Sequence, residues 1–278
     1  MLVAQLLLLL PNLSDVAAMM LLESLAIQRR VIWSLFLREL KTRFGKFRLG
    51  YIWALLEPLT QMALFFFIFG FVMHRLMPEI SFLVFLTNGI FPWMLFSNIA
   101  TRSITAIEAN RGLLSYRPVR PIDTLLSRVL LESLIILVTY AITLAGLALM
   151  GESFTLNRLL EVGLIFILIV LFSTGVGCFF MVLGEAFPES EKILPVLLRP
   201  LYFMSGVMFS PAIVPTEYRW LIDWNPMLHA MELLRHYEVP TYPLTPSISL
   251  NYLILSTVVV LTAGMILYKG REPAMMTS

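Results

Sequence analysis

The chain has 278 residues, 59% of them hydrophobic and 14% charged, against about 25% charged in a soluble domain. So little polar surface excludes a soluble globular protein of this length. The apolar residues come in blocks long enough to cross a bilayer, which takes about 20 residues per helix. Hydrocarbon leaves backbone amides no water to pair with, so such blocks are helices and the fold class is an all-α membrane protein. Cys178 is the single cysteine and has no partner in the chain, which excludes a disulfide framework.

In chain order, Met1–Leu10 is apolar, too short to span and not preceded by basic residues, and Pro11 and Asn12 break it. Residues 1–23 are therefore set apart as an N-terminal extension without functional weight, with a start at Met19 or Met20 left open. Residues 24–48 follow as an amphipathic interface helix. Over Leu25–Phe44, Ile32, Trp33, Phe36, Leu40 and Phe44 share one helical face, while Arg30, Arg38 and Lys41 share the other. That pattern predicts a helix in the membrane plane, apolar side in the acyl chains and basic side toward headgroups. Arg43 interrupts the apolar face, and Gly45 ends the helix before the chain turns. A plain positive-inside anchor and a platform that greets an anionic lipid-linked substrate both fit this segment.

Residues 49–271 read as six transmembrane helices, at Tyr51–Met73, Phe82–Ile99, Ile122–Met150, Leu159–Leu183, Ile193–Ser210 and Tyr252–Tyr268, before a cytoplasmic tail at 272–278. Pro195 and Pro200 interrupt the fifth span, and Pro211 and Pro215 follow it. The stretch Thr216–Pro240 is more polar and reads as short periplasmic helices between the fifth and sixth spans. With both termini in the cytoplasm, only Arg75, Arg158, Arg219 and Arg235 of the 20 basic residues fall outside. That bias fixes the orientation.

Within span one, Glu57 at the cytoplasmic boundary reads as a partner for a nearby arginine or as a substrate contact. Two cytoplasmic turns, Asn110–Arg120 and Phe187–Lys192, mix charge with the apolar Leu113, Leu114, Tyr116 and Phe187. They either dock another protein or fold back on their own bundle. Ser173-Thr-Gly-Val-Gly-Cys178 in span four is a run of small residues that lets helices pack closely. His229, Glu232 and His236 fall on one helical face, read as the polar side of an amphipathic helix rather than as a metal site. No G-x-x-x-x-G-K-[ST] phosphate loop, Ser–His–Asp set or H-E-x-x-H occurs, so neither ATP binding nor catalysis is expected of this chain itself.

The stretch Arg38–Leu59, with Arg38-Glu-Leu-Lys41, Gly50-Tyr-Ile-Trp53 and Glu57-Pro58, resembles the start of the type-2 ABC permeases that export polysaccharide. Arg199–Ser210 is similar to that family's proline-broken fifth span, and Asn225-Pro226 through Arg235 to its external segment. The resemblance covers roughly Arg29 to Arg271. It is nearest to the capsular polysaccharide (Kps-type) permeases, with O-antigen and teichoic acid permeases next and exporters of lipids or small hydrophobic molecules as the rival on the same scaffold.

The resemblance implies a multi-pass inner-membrane homodimer on two separate ATP-binding cassette subunits, with ATP and Mg held by those partners and no cofactor or metal in this chain. It further implies a lipid-linked polysaccharide as cargo, a periplasmic or outer-membrane export partner, and no nucleic acid. Coupling to the ATPase is assigned by resemblance to Asn110, Arg111, Leu113, Leu114, Tyr116, Phe187, Glu189 and Glu191. Many relatives carry an Arg-Asp pair where this chain has Glu189 and Glu191, which leaves open which residue makes the main contact there. Admission of substrate falls to Arg38, Lys41, Arg43, Lys46 and Arg48, and an external gate to Trp224, His229 and Arg235.

Overall fold

A computed structural model describes residues 13–45, 50–73, 80–116 and 118–277, so Met1–Leu10, Lys46, Arg48 and Arg75 lie outside the described residues. All regular structure within them is helical. The long helices are α1 (Leu13–Phe44), α2 (Gly50–Met73) and α3 (Phe82–Ile104). The short α4 (Arg111–Leu114) precedes α5 (Pro121–Leu149), α6 (Leu159–Ala186) and α7 (Ser190–Met204). Then come α8 (Trp220–Asp223), α9 (Pro226–Glu238) and α10 (Leu250–Thr277). Among the described residues, α3, α5, α6 and α10 are long and apolar enough to cross a membrane, and α2 adds a shorter apolar run at Leu55–Ile68. The protein is a multi-pass membrane protein on that count.

Helix α3 is the axis of the bundle. Every residue from Phe82 to Phe96 is buried, between α5, α6 and α9. A helix enclosed on all sides must be apolar all round, and the exceptions, Thr87 and Asn88, carry partners. The Thr87 hydroxyl donates to Leu83 O at 2.7 Å. Helices α6 and α10 pack most extensively, and the small-residue run in α6 is the reason. A Cβ added at Gly175 would lie 2.6 Å from Leu261 Cα, and one at Gly264 2.3 Å from Gly175 O. Only glycine permits so close an approach.

Two helices differ in their bounds from the expectation. Helix α1 is continuous from Leu13, across the boundary expected at residue 23, and its apolar ridge serves the protein itself. Phe36, Leu40 and Phe44 form an i, i+4, i+8 row that packs on Leu131 and Ile135 of α5, a ridge fitting a ridge of the same spacing. Trp33, beside that row, stays exposed and stacks on Phe36 with ring centroids 5.1 Å apart.

The fifth span, expected at Ile193–Ser210, ends as a helix at Met204. Its 15 residues reach about 22 Å, short of a hydrocarbon core of about 30 Å. Gly206, at φ +69°, turns the chain where a side chain would be strained. The irregular Ser205–Met208 that follows is buried, the condition under which non-helical backbone is tolerated at such depth.

Candidate functional site

Three regions bring together the residues singled out above. The first is an ionic cluster joining α1 to the bundle. Glu132 of α5 is 1% exposed and receives Arg43 of α1, Arg102 Nε of α3 at 2.7 Å and Asn98 Nδ2 at 3.1 Å. Glu39 of α1 faces Arg128 Nε at 3.3 Å and Arg38 Nη2 at 3.9 Å. Arg38 also donates to Asn110 Oδ1, and Arg128 to Arg102 O and, at 3.1 Å, to Thr105 Oγ1. Arg43, which breaks the apolar face in sequence, is thus held by an acid 89 residues away. Lys41 is exposed. Glu57 is exposed too and, among the described residues, forms no ion pair. The cluster sets Arg38, Arg43, Arg102 and Arg128 against Glu39 and Glu132, so it carries surplus positive charge.

Beside it lies a cleft of about 370 Å³ between α3 and α7. Trp93, Ser97, Asn98 and Thr101 form one wall, and Leu198, Arg199, Tyr202 and Phe203 the other. Tyr202 meets Trp93 edge-on at 5.5 Å and Phe203 at 5.4 Å, and stacks on Phe65 of α2 at 6.2 Å. Asn98 belongs to both regions, bonded to Glu132 and lining the cleft. Aromatic faces beside hydroxyls, an amide and a cation suit a polar chain with flat C–H faces, which needs stacking and hydrogen bonds together. Sequence reading passed over Trp93, Asn98 and Glu132. The acid inside an apolar span was the available signal for Glu132.

The two turns expected on the cytoplasmic side sort their residues by face. Asn110 and Leu114 are buried, and Asn110 Nδ2 donates to Ala106 O at 2.8 Å. Leu113 is half-buried, whereas Arg111, Tyr116, Phe187, Glu189 and Glu191 are exposed. Each turn therefore folds back on the bundle through one side and offers the other outward.

The third region corrects the expected polar face of α9. His229, Glu232, Arg235 and Glu238 are all within 2% exposed and lie in the core. Arg235 Nη1 donates to Glu232 Oε1 at 2.7 Å, and Nη2 to Val207 O at 3.2 Å. Its guanidinium sits 3.5 Å from the centroid of the Phe85 ring of α3. The Tyr242 hydroxyl meets Glu232 at 3.1 Å. Such burial is tolerable because each charge finds its opposite or a dipole. One guanidinium thus ties the chain leaving α7 to α3 and α9.

His229 Nδ1 accepts the Ser249 N–H at 3.0 Å, so Nε2 carries the proton and donates to Asp223 O at 2.7 Å. Burial holds its pKa below the ordinary histidine value, favouring this neutral form. His236 instead pairs with Tyr242 O, so the two imidazoles serve different loops. Trp224 is 53% exposed, its indole N–H donating to Leu221 O at 2.7 Å.

The ABC-2 type transporter membrane family matches residues 30–239, from α1 through the last turn of α9. The chain belongs to that family. Among relatives, this ABC-2 type transporter chain is 48% identical over 252 residues to the polysialic acid transport protein KpsM of Escherichia coli, covering 91% of this chain and 97% of that one. It is 29% identical over 259 residues to the capsule polysaccharide export inner-membrane protein BexB of Haemophilus influenzae, covering 90% and 96%. It is also 29% identical over 191 residues to the O-antigen export system permease protein RfbA of Klebsiella pneumoniae, covering 68% and 73%.

Proposed function

We propose that this chain is the inner-membrane permease through which a bacterium exports lipid-linked capsular polysaccharide. The observation that carries the reading is the 48% identity to a polysialic acid transport protein along 91% of this chain. The shorter and weaker likeness to an O-antigen permease makes that cargo the second reading. The α3–α7 cleft supports a glycan cargo: it pairs an aromatic wall with Ser97, Asn98 and Thr101, and it carries Arg199. The surplus charge of the neighbouring cluster suits an anionic end on that cargo, with Lys41 free to meet it and Arg38 and Arg43 already engaged. Lys46 and Arg48 remain candidates from sequence.

Two copies would form the pathway. Helix α2 leaves Ile52, Trp53, Phe66 and Phe67 exposed, and α7 leaves Val196, Leu197 and Phe203 exposed, so an apolar face runs beside the cleft. ATP hydrolysis would belong to two separate cassette subunits docked on Arg111, Tyr116, Phe187, Glu189 and Glu191. An envelope partner would receive the polymer. Six helices, α2, α3, α5, α6, α7 and α10, would cross the bilayer, with α7 completed by the buried Ser205–Met208. Both termini would be cytoplasmic. Trp224, His229 and Arg235 would form the external gate, Arg235 by holding the end of α7.

Two results are expected. In sealed cells a membrane-impermeant thiol reagent modifies Thr216→Cys but not Ser115→Cys; the reverse pattern overturns the orientation. Tyr116→Asp with Phe187→Asp leaves membrane level unchanged, because both side chains are exposed. It removes most co-purifying ATPase and leaves capsular polymer inside the cell, since a charge enters a packed contact. Normal surface polymer with normal ATPase association would exclude these turns as the docking surface.

A further inference from the structure

A second concavity runs along the other side of α5 and shares no lining residue with the α3–α7 cleft. It has two parts. Between α1 and α5 lies a recess of about 770 Å³ whose polar wall is Gln28, Arg29, Arg30 and Ser34, with Trp33 beside them. Between α5 and α6 lies a groove of about 950 Å³ whose wall is apolar almost throughout, including Leu137, Leu144, Phe166 and Val170. Ile32, Leu126 and Leu130 line both, so the recess opens directly into the groove.

The charges of the recess are uncommitted. Among the described residues neither Arg29 nor Arg30 takes part in an ion pair, and Arg30 reaches only its own helix, donating from Nε to Ala26 O at 3.2 Å. No carboxylate lines the recess. Asp123, the acid nearest its wall by bonding, is occupied by Gln28 Nε2 at 3.0 Å and by the Arg120 N–H at 2.9 Å. The groove follows α5 from Leu126 to Ala148, about 33 Å of helix and so the full height of a hydrocarbon core. Leu130, Leu137, Ile167 and Leu171 on its rim are exposed, as lipid-facing residues are. Gly163 deepens it: no heavy atom lies within 4 Å of where its Cβ would be.

A cationic, hydrogen-bonding recess continuous with an apolar slot has the chemistry of one amphiphile, a phosphate head on an acyl chain. We propose that this cavity holds an anionic diacyl phospholipid of the leaflet that α1 faces, its phosphate on Arg29 and Arg30 and a chain in the α5–α6 groove. The lipid is a wedge between α1 and the bundle, holding α1 where its ionic cluster with α3 and α5 can form. A bilayer phospholipid is favoured over lipid-linked cargo because a polymer-bearing head here would sit apart from the cleft.

The test uses the full chain in nanodiscs without polymer, so its outcome is independent of the export reading. Brominated phosphatidylglycerol is titrated into a phosphatidylcholine bilayer, and the quenching that disappears in Trp33→Phe is attributed to Trp33. Half-quenching is expected at a low mole fraction, well below that for brominated phosphatidylcholine. Arg29→Gln with Arg30→Gln should raise that fraction roughly 25-fold, about fivefold for each basic group lost. Gly163→Phe, which fills open space rather than displacing backbone, should weaken the preference while both arginines remain. Equal quenching by the two lipids, or no response to either variant, overturns the proposal. So does a loss, in Arg29→Gln with Arg30→Gln, of glycan-bearing lipid from the chain purified out of polymer-producing cells, which would place the cargo in this cavity.

Discussion

Glu132→Leu is expected to remove most of the protein from the membrane and to abolish export with it. Glu132 is 1% exposed and is the acid on which Arg43 and Arg102 converge. Taking away one member of a buried ion pair leaves the other charge uncompensated, at a cost of roughly 3–5 kcal/mol. Total stabilities are only about 5–15 kcal/mol, so the loss is large. The damage should be local at first: α1 loses its hold through Arg43, and α3 loses the tie through Arg102 and Asn98. Membrane level by immunoblot and melting temperature in detergent read the effect. Adding Arg43→Met should restore part of both, because the cation that remains, Arg102, has a side chain 36% exposed and can turn toward water. Lys41→Gln, one turn from the cluster but exposed, should leave both unchanged. A Glu132→Leu protein that melts like the wild type would mean that α1 is held by its apolar ridge and its Glu39–Arg128 and Arg38–Asn110 ties without help from Glu132.

The cluster also shows what the sequence could and could not disclose. Apolar runs marked α3, α5 and α6 to within a few residues, because length and composition decide whether a helix can cross a bilayer, whereas α10 runs on past the expected Tyr268 to Thr277. The small-residue run around Gly175 announced a close contact, and Gly264 on α10 proved to be its partner. Arg43, by contrast, looked like a flaw in an amphipathic face. Its meaning depends on Glu132, which no local pattern connects to it.

Helix α9 was misjudged for the same reason. Counting His229, Glu232 and His236 as polar gives an outward face, yet His229 and Glu232 lie in the core, where Arg235 neutralises Glu232. Hydropathy sums charges singly and cannot see that two of them cancel. Pro195 and Pro200 lie inside α7 without ending it; the helix stops at Met204, just before Gly206 turns the chain, so the span expected to reach Ser210 is shorter. At the two turns expected to couple, resemblance and composition supplied the residues but not their faces, so Asn110 and Leu114 stood with the outward Tyr116.

Arg235→Leu is the second large expected loss, and its pairing with Glu232→Leu separates stability from mechanism. Arg235 is fully buried and serves four groups at once: the Glu232 carboxylate, the Val207 and Phe85 carbonyls and the Phe85 ring. Alone, the substitution strands Glu232 with Tyr242 and should cost roughly 3–5 kcal/mol, seen as lost membrane protein. Arg235→Lys should recover little, since one ammonium cannot reproduce a planar fork that bridges an acid and a carbonyl while lying on a ring. In the double variant Glu232→Leu with Arg235→Leu no buried charge is left unpaired, and replacing such pairs by apolar residues is often neutral for stability. Membrane level and melting temperature should therefore return toward wild type. Export should not return, because Val207 O is still released and the chain leaving α7, one wall of the cleft, is no longer tied to α3. Recovery of export along with stability would assign Arg235 to holding the fold together and take it out of the gate.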